Sequence, residues 1–141
     1  MRAGIIGIGS FLPEKVVHNT ELEKIVETTN EWIVERTGIQ SRRIAEANIS
    51  SSDLGAEAAR LAIENANLKP EDIDMIISAS SSPDCTFPAT ACIIQDKINA
   101  KNAAAFDIQA ACTGFVYGLV TATQYILSGE CKNVLVVGCE V

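Results

Sequence analysis

Ala103-Ala-Ala-Phe-Asp-Ile108, Thr113-Gly-Phe-Val-Tyr-Gly-Leu-Val120 and Asn133-Val-Leu-Val-Val-Gly138 follow one another, and their order decides the fold. The first and last are compact apolar runs of strand length. The middle one opens a longer helix that runs to Ser128, with Gly129 in place to end it. Two strands joined through a helix lie parallel, and a parallel sheet is buried on both faces. The helix from Thr113 to Leu127 is apolar on most sides, which places it inside, between layers.

Upstream, strand and helix signals keep alternating. Ala3 to Ile8 reads as a first strand, stopped by Gly9, Ser10 and Pro13. Thr20-Glu-Leu-Glu23 has capping-box spacing and starts a short helix through about Glu27. A second short helix runs from Asn30 or Glu31 to Thr37, with Gly38 as its left-handed terminator. Residues 39 to 50 read as an exposed polar connection.

Ser50 or Ser51 caps the next helix, whose apolar stripe is Leu54, Ala58, Leu61 and Ala62. Leu68-Lys-Pro-Glu-Asp72 is a turn, and Met75-Ile-Ile-Ser-Ala79 a buried strand. Pro83 and Pro88 bracket an irregular loop carrying Phe87. Pro88 fits the first turn of a helix to about Asn99, with Ala91, Ile94 and Ile98 on one face. The pattern is α/β, with no tandem repeat.

Cys112 sits where the Ala103–Ile108 strand gives way to the long helix. A thiol at a helix start faces unpaired backbone N–H groups and the positive end of the dipole, both of which favour thiolate over thiol. Position alone leaves two readings open: a nucleophile, or a small residue chosen for packing.

Composition narrows the classes. A chain of 141 residues can bury a real core. A net charge of −7 argues against nucleic acid or an anionic membrane surface as partner, because either needs a basic face. No apolar run is long enough to span a bilayer, and the N-terminus does not read as a signal peptide. Five cysteines with no C-x-x-C pair and a single histidine, His18, fit neither a disulfide framework nor a metal site. A reducing cytoplasmic setting follows. Four of the cysteines read as packing or surface residues, and His18 as a surface residue. Gly7-Ile-Gly9 follows a strand, but a dinucleotide fingerprint needs a third glycine where Leu12 stands, and Pro13 disfavours the following helix. A tight turn is the better reading. The chain reaches Val141 three residues after an apolar strand with no closing helix, so it reads as the front part of something longer.

Four separated blocks carry a family resemblance: Gly7-Ile-Gly-Ser-Phe-Leu-Pro13, Glu31-Trp-Ile-Val-Glu-Arg-Thr-Gly-Ile39, Phe87-Pro-Ala-Thr-Ala-Cys92 and Asp107-Ile-Gln-Ala-Ala-Cys-Thr-Gly-Phe115. Together they resemble β-ketoacyl-acyl carrier protein synthase III, a condensing enzyme that initiates fatty acid synthesis. Thr113 stands where relatives often carry a smaller residue. The resemblance implies a thiolase-like layered α/β fold of two similar halves, with residues 1–141 most of the first. It implies that Cys112 takes an acyl group from acyl-CoA, acetyl-CoA above all, as a thioester. The acyl-enzyme then condenses with malonyl-acyl carrier protein, losing carbon dioxide.

A histidine and an asparagine serving decarboxylation would lie beyond Val141, so the 141 residues alone would be inactive. Thr28, Trp32 and Arg36 become coenzyme A contacts, with Trp32 stacking on the adenine, Arg36 meeting phosphate and Thr28 bonding near the base. Trp32 and Arg36 are four apart and face one side of a helix; apart from the resemblance, Trp32 reads as a core residue and Arg36 as a solvated charge. Phe87 would reach across a homodimer interface to shape the partner's acyl pocket. Coenzyme A enters as a substrate thioester, with no resident cofactor and no metal. Two alternatives stay open: another condensing enzyme of the superfamily, of polyketide or hydroxymethylglutaryl-CoA synthase type, and a non-catalytic α/β assembly module.

Overall fold

The computed structural model describes residues 2–141, which form two compact units. One comprises the N-terminal segment to Phe11 with Ile49–Val141, and the other is Leu12–Asn48.

In the larger unit the sheet has three parallel strands, β3 (Met75–Ala79), β4 (Ala104–Ile108) and β5 (Val134–Gly138), in the order β4-β3-β5. Met75 pairs with Ala104 on one side and Val134 on the other, and Ala79 with Ile108 and Gly138. All five residues of β3 are buried, which is why its sequence is a continuous apolar run rather than an alternating one. The pleat still sorts the side chains. Ile76, Leu135 and Val137 form one core with Ala56, Ala59 and Ile63 of helix α3 (Ser51–Asn65) and Ala91 and Ile94 of α4 (Thr90–Lys97). Met75 and Ile77 form the other with Ala122 of α5 (Gly114–Ser128), joined by Phe106, Val134 and Val136. Full burial of Ile76, Ile77 and Ile94 contributes about 1.5–3 kcal/mol each.

Helix α5 lies on the sheet through Gly114, Gly118 and Ala122, its buried residues at four-residue spacing. A Cβ at Gly118 would come within 2.8 Å of Val136 Cγ1, so the glycine sets how closely helix and sheet approach. The opposite face, with Val116, Tyr117 and Val120, is exposed. The sequence places this helix between layers; among the described residues only its sheet side is covered.

Several local expectations need correction. Residues 3–8 form no strand, and Ile5, Ile6 and Ile8 are exposed. An apolar run becomes a strand only beside a sheet edge, and this segment crosses α3 instead. Ile8 N–H donates to Asn65 Oδ1 at 3.0 Å, while a Cβ at Gly9 would collide with the backbone of Ala58 and Ala62. The stripe on α3 is therefore offset: Gly55, Ala56, Ala59 and Ile63 are buried, whereas Leu61 is exposed. Ala58 and Ala62 face the N-terminal segment. Helix α4 starts at Thr90, two residues after Pro88, because Asp107 of β4 supplies its cap. The Asp107 carboxylate accepts Thr90 N–H at 2.7 Å and Ala91 N–H at 2.8 Å.

The smaller unit pairs β1 (Val16–His18) antiparallel with β2 (Ser41–Arg43), inside the stretch that reads as a plain connection. Strands of three residues carry too little periodicity to be seen in sequence. The first helix is the short α1 (Asn19–Leu22), capped two residues early at His18, whose N–H donates to Glu21 Oε1. Asn19 is fully buried and acts as the polar hub: Nδ2 donates to Asn30 Oδ1 and to Ile39 O, and Oδ1 accepts from Arg42 Nη1. Helix α2 (Asn30–Thr37) ends at Gly38, φ 72°, as its sequence dictates.

At the start of α3, Ser50 N–H donates to Asp53 Oδ2 and Lys97 Nζ donates to Asp53 Oδ1 at 2.6 Å. The Lys97 bond, then those from Ser50, hold the Asp53 carboxyl at about 2, below its ordinary 3.8. The stability it adds is fully present above 3.8 and is lost as pH falls through about 2. Because both side chains are about a third exposed, the contribution is under about 1 kcal/mol. Urea unfolding across that window should show a flatter pH dependence for Lys97→Met than for the unsubstituted chain. Gly9→Ala should cost about 1–3 kcal/mol by the same assay; Gly4→Ala, where a Cβ meets nothing within 4 Å, should stay within about 0.5 kcal/mol.

Candidate active site

The carboxyl ends of parallel strands are where an α/β sheet opens to ligands. Here β4 leads through Gln109 and Ala110 into a single 3-10 turn, Ala111–Thr113, and then directly into α5. Cys112 is the middle residue of that turn, two positions before the first α-helical residue rather than within the helix. Its side chain is exposed. Ala111 before it has φ 46°. A non-glycine residue held in the left-handed region costs about 1–3 kcal/mol, and such strain concentrates at functional sites. Gly114 after it lies against the end of β3, where an added Cβ would sit 3.3 Å from Ala79 Cβ. The turn is thus pressed onto the sheet by a residue with no side chain.

The other cysteines differ. Cys131 and Cys139 are buried, Cys92 is partly buried and Cys85 is exposed. Burial pushes the Cys139 thiol up to about 11 and raises that of Cys131. Both are buried, where the thiolate is disfavoured.

Beside the turn lies the loop from Ser80 to Ala89, between β3 and α4. Ser52 N–H donates to Asp84 Oδ1 at 2.9 Å, and Ser51 Oγ donates to Ser82 O at 2.6 Å. Burial opposes ionisation of Asp84, but the Ser52 hydroxyl and N–H outweigh it and hold the carboxyl below the ordinary range. Phe87 stands out from this anchored loop, 89% exposed. No sequence signal distinguished Ser51, Ser52, Asp84 or Glu140, since each partner is 30 or more residues away.

The remaining candidates lie in the smaller unit. Trp32 is exposed, and the Arg36 guanidinium lies 5.9 Å from its ring centroid. Trp32 is not in the core of the described residues, and the predicted shared face with Arg36 is observed. Thr29 caps the helix, its Oγ1 accepting the Trp32 backbone N–H at 3.1 Å; the sequence motifs leave it unmarked. Thr28 is half-buried, with an Oγ1 that is enclosed and has no hydrogen-bond partner. His18 is exposed. Among the described residues no three His, Cys, Asp or Glu side chains group as metal ligands, and no helix is long and apolar enough to cross a membrane.

Comparison with known proteins places these features. The family model for 3-oxoacyl-[acyl-carrier-protein] synthase III matches residues 106–141, which include the Cys112 turn. The β-ketoacyl-[acyl-carrier-protein] synthase III of Caldanaerobacter subterraneus subsp. tengcongensis is 56% identical over 138 residues, 98% of this chain and 42% of that protein. The crystal structure of 3-oxoacyl-[acyl-carrier-protein] synthase III from Aquifex aeolicus VF5 superposes with a TM-score of 0.92 at 50% identity, covering 95% of this chain and 43% of that one. The priming β-ketosynthase of the R1128 polyketide biosynthetic pathway also superposes at 0.92, with 37% identity, over 95% of this chain and 40% of that one. The chain spans about two-fifths of the length of the curated relatives it matches. Its α/β fold is thiolase-like. With a cysteine turn at the carboxyl ends of its sheet and relatives matching it almost end to end, the chain belongs to the β-ketoacyl-[acyl-carrier-protein] synthase III family, as its N-terminal portion.

Proposed function

We propose that these residues form the nucleophile-bearing part of an acyltransferase condensing enzyme that initiates fatty acid synthesis. The observation that carries this reading is the exposed Cys112 thiol in a strained turn at the carboxyl ends of three parallel strands. In the first step the Cys112 thiolate attacks the carbonyl carbon of an acyl-CoA, acetyl-CoA in the simplest case. The carbon–sulfur bond to coenzyme A breaks, and coenzyme A leaves as its thiol after taking a proton. Thioester replaces thioester, so the acyl group stays activated. Malonyl-acyl carrier protein then loses carbon dioxide, and the resulting enolate attacks the Cys112 thioester. The cysteine is released and 3-oxoacyl-acyl carrier protein is formed. Negative charge develops on the acyl oxygen in both attacks and needs donors in place beforehand; the Cys112 backbone N–H is one candidate.

Trp32 and Arg36 suit the coenzyme A part of the substrate. An exposed indole offers a stacking face for adenine, and a guanidinium beside it offers forked donors to phosphate. The partnerless Thr28 hydroxyl, enclosed in this structure, would supply a third polar contact near the base on turning outward. Coenzyme A acts as a substrate carrier, and no resident cofactor is required. Phe87, held out into solvent, suits a homodimer in which it lines the partner's acyl pocket. His18 is exposed and matches neither of the residues that serve decarboxylation in the family. The 141 residues alone should therefore release no carbon dioxide from malonyl-acyl carrier protein.

The likeness to a priming β-ketosynthase of a polyketide pathway favours one second reading, the same cysteine chemistry feeding polyketide synthesis. Rates with malonyl-acyl carrier protein, malonyl-CoA and acetoacetyl-CoA as acceptors separate these from a hydroxymethylglutaryl-CoA synthase type. A non-catalytic assembly module would use none.

Incubating the full-length protein with radiolabelled acetyl-CoA should leave one acyl group on Cys112, located by peptide mass spectrometry. Labelling that persists in Cys112→Ala refutes the assignment. Trp32→Ala and Arg36→Ala should each raise KM for acyl-CoA about tenfold, with kcat nearly unchanged, as expected for loss of a base-stacking or charged contact. A fall in kcat at constant KM would remove both from the coenzyme A site.

A further inference from the structure

The loop Ser80–Ala89 carries the most exposed aromatic side chain of the chain, yet two carboxylates from neighbouring strands hold both its ends. At its start, Glu140, two residues past β5, accepts Ser81 N–H at 2.7 Å on Oε1 and Ser82 N–H at 3.0 Å on Oε2. Ser82 Oγ adds a bond to Glu140 Oε2 at 2.7 Å and accepts Val141 N–H at 3.1 Å. At its far end, Asp107 of β4 takes the N–H groups of Thr90 and Ala91, one on each oxygen. Each carboxylate therefore accepts two adjacent backbone donors, and charge-assisted bonds of this kind are roughly twice as strong as neutral ones.

The placement is specific. Asp107 lies five residues before Cys112 and one before the end of β4, so the strand that feeds the cysteine turn also fixes where α4 begins, three residues after Phe87. Glu140 ties the chain after β5 to the chain after β3. Asp84 fastens the middle of the loop to α3 through Ser52, leaving Cys85 to Ala89 as the part that projects. Neither carboxylate can reach a reacting atom while so engaged. Both orient backbone.

We infer that Glu140 and Asp107 are positioning residues, a two-point carboxylate clamp that sets the loop bearing Phe87 relative to the Cys112 turn and thereby tunes which acyl chains are accepted. This rests on the proposed assignment of Phe87 to the acyl pocket. Holding an exposed aromatic rigidly lowers the ordering cost of seating it against a partner. Loss of either carboxylate frees the loop without touching the thiol.

Hydrogen–deuterium exchange and acyl selectivity of the full-length protein test this together. In Glu140→Gln and Asp107→Asn, amides of residues 81–91 should exchange about tenfold faster or more, while α3 amides at Ala59–Ile63 stay protected. Ser82→Ala, which keeps both backbone bonds, should give a smaller rise and guards against a variant that fails to fold. The ratio of kcat/KM for acetyl-CoA over butyryl-CoA should shift about threefold or more in Glu140→Gln. Phe87→Ala should shift the same ratio, and the double variant should show less than the product of the two effects. Unchanged loop exchange, or a rise shared equally by α3 in all three variants, overturns the clamp. Faster loop exchange with an unshifted ratio in Glu140→Gln, where Phe87→Ala does shift it, overturns the positioning role. An unshifted ratio in Phe87→Ala instead shows that the underlying assignment of Phe87 has failed, and the positioning role falls with it.

Discussion

The structure of the larger unit depends on β3. Met75 to Ala79 is buried at every residue and hydrogen-bonded along both edges, so no side chain of this strand has a solvent face. Helices are therefore required on both sides of the sheet. Ala56, Ala59 and Ile94 supply one cover, and Gly118 with Ala122 the other. Because all three strands run the same way, three chain exits emerge at one edge: the Ser80 loop, the Cys112 turn and the segment after Gly138. Cys112 and Phe87 stand on two of these exits, at the end where a parallel sheet opens to ligands.

Small residues turn that topology into close geometry. Gly114 lies against Ala79, Gly118 against Val136, and Gly138 under the Phe115 ring, where an added Cβ would be 3.2 Å from Cδ2. Each lets α5 settle on the sheet, and the helix in turn limits where the turn before it can go. The positive φ of Ala111 is the cost of making that connection in so few residues. Carboxylates complete the edge, since Asp107, Glu140 and Asp84 each accept backbone N–H groups that the loops would otherwise leave unpaired.

The smaller unit solves a different problem. It has little apolar core of its own, with Ile33 buried at the centre of α2. Its order comes from the buried Asn19, whose amide satisfies two acceptors while its oxygen takes an arginine donor. A buried amide with such partners specifies one arrangement of its neighbours. It leaves the opposite surface of α2 free to present Trp32 and Arg36 to solvent.

The sequence alone determined the elements whose signal is local. The runs Met75–Ala79 and Asn133–Gly138, the helix from Asn30 or Glu31 to Thr37, a serine cap at Ser50 or Ser51 and the break at Gly129 follow from periodicity, capping chemistry and left-handed glycine. Those rules act within a few residues. The family resemblance likewise pointed to Cys112, Trp32, Arg36, Thr28 and Phe87. Tertiary structure decided whatever needed a distant partner. Residues 3–8 have the composition of a strand but lie against α3 rather than along an edge of the sheet. Helix α4 starts where Asp107 caps it, and the buried face of α3 turns away from the stripe of larger residues because Gly7 and Gly9 bring backbone onto Ala58 and Ala62. The Asp107 and Glu140 contacts cross 16 and 59 residues of chain. Hydrogen bonds of that range leave no periodic trace in sequence, because only folding brings donor and acceptor together.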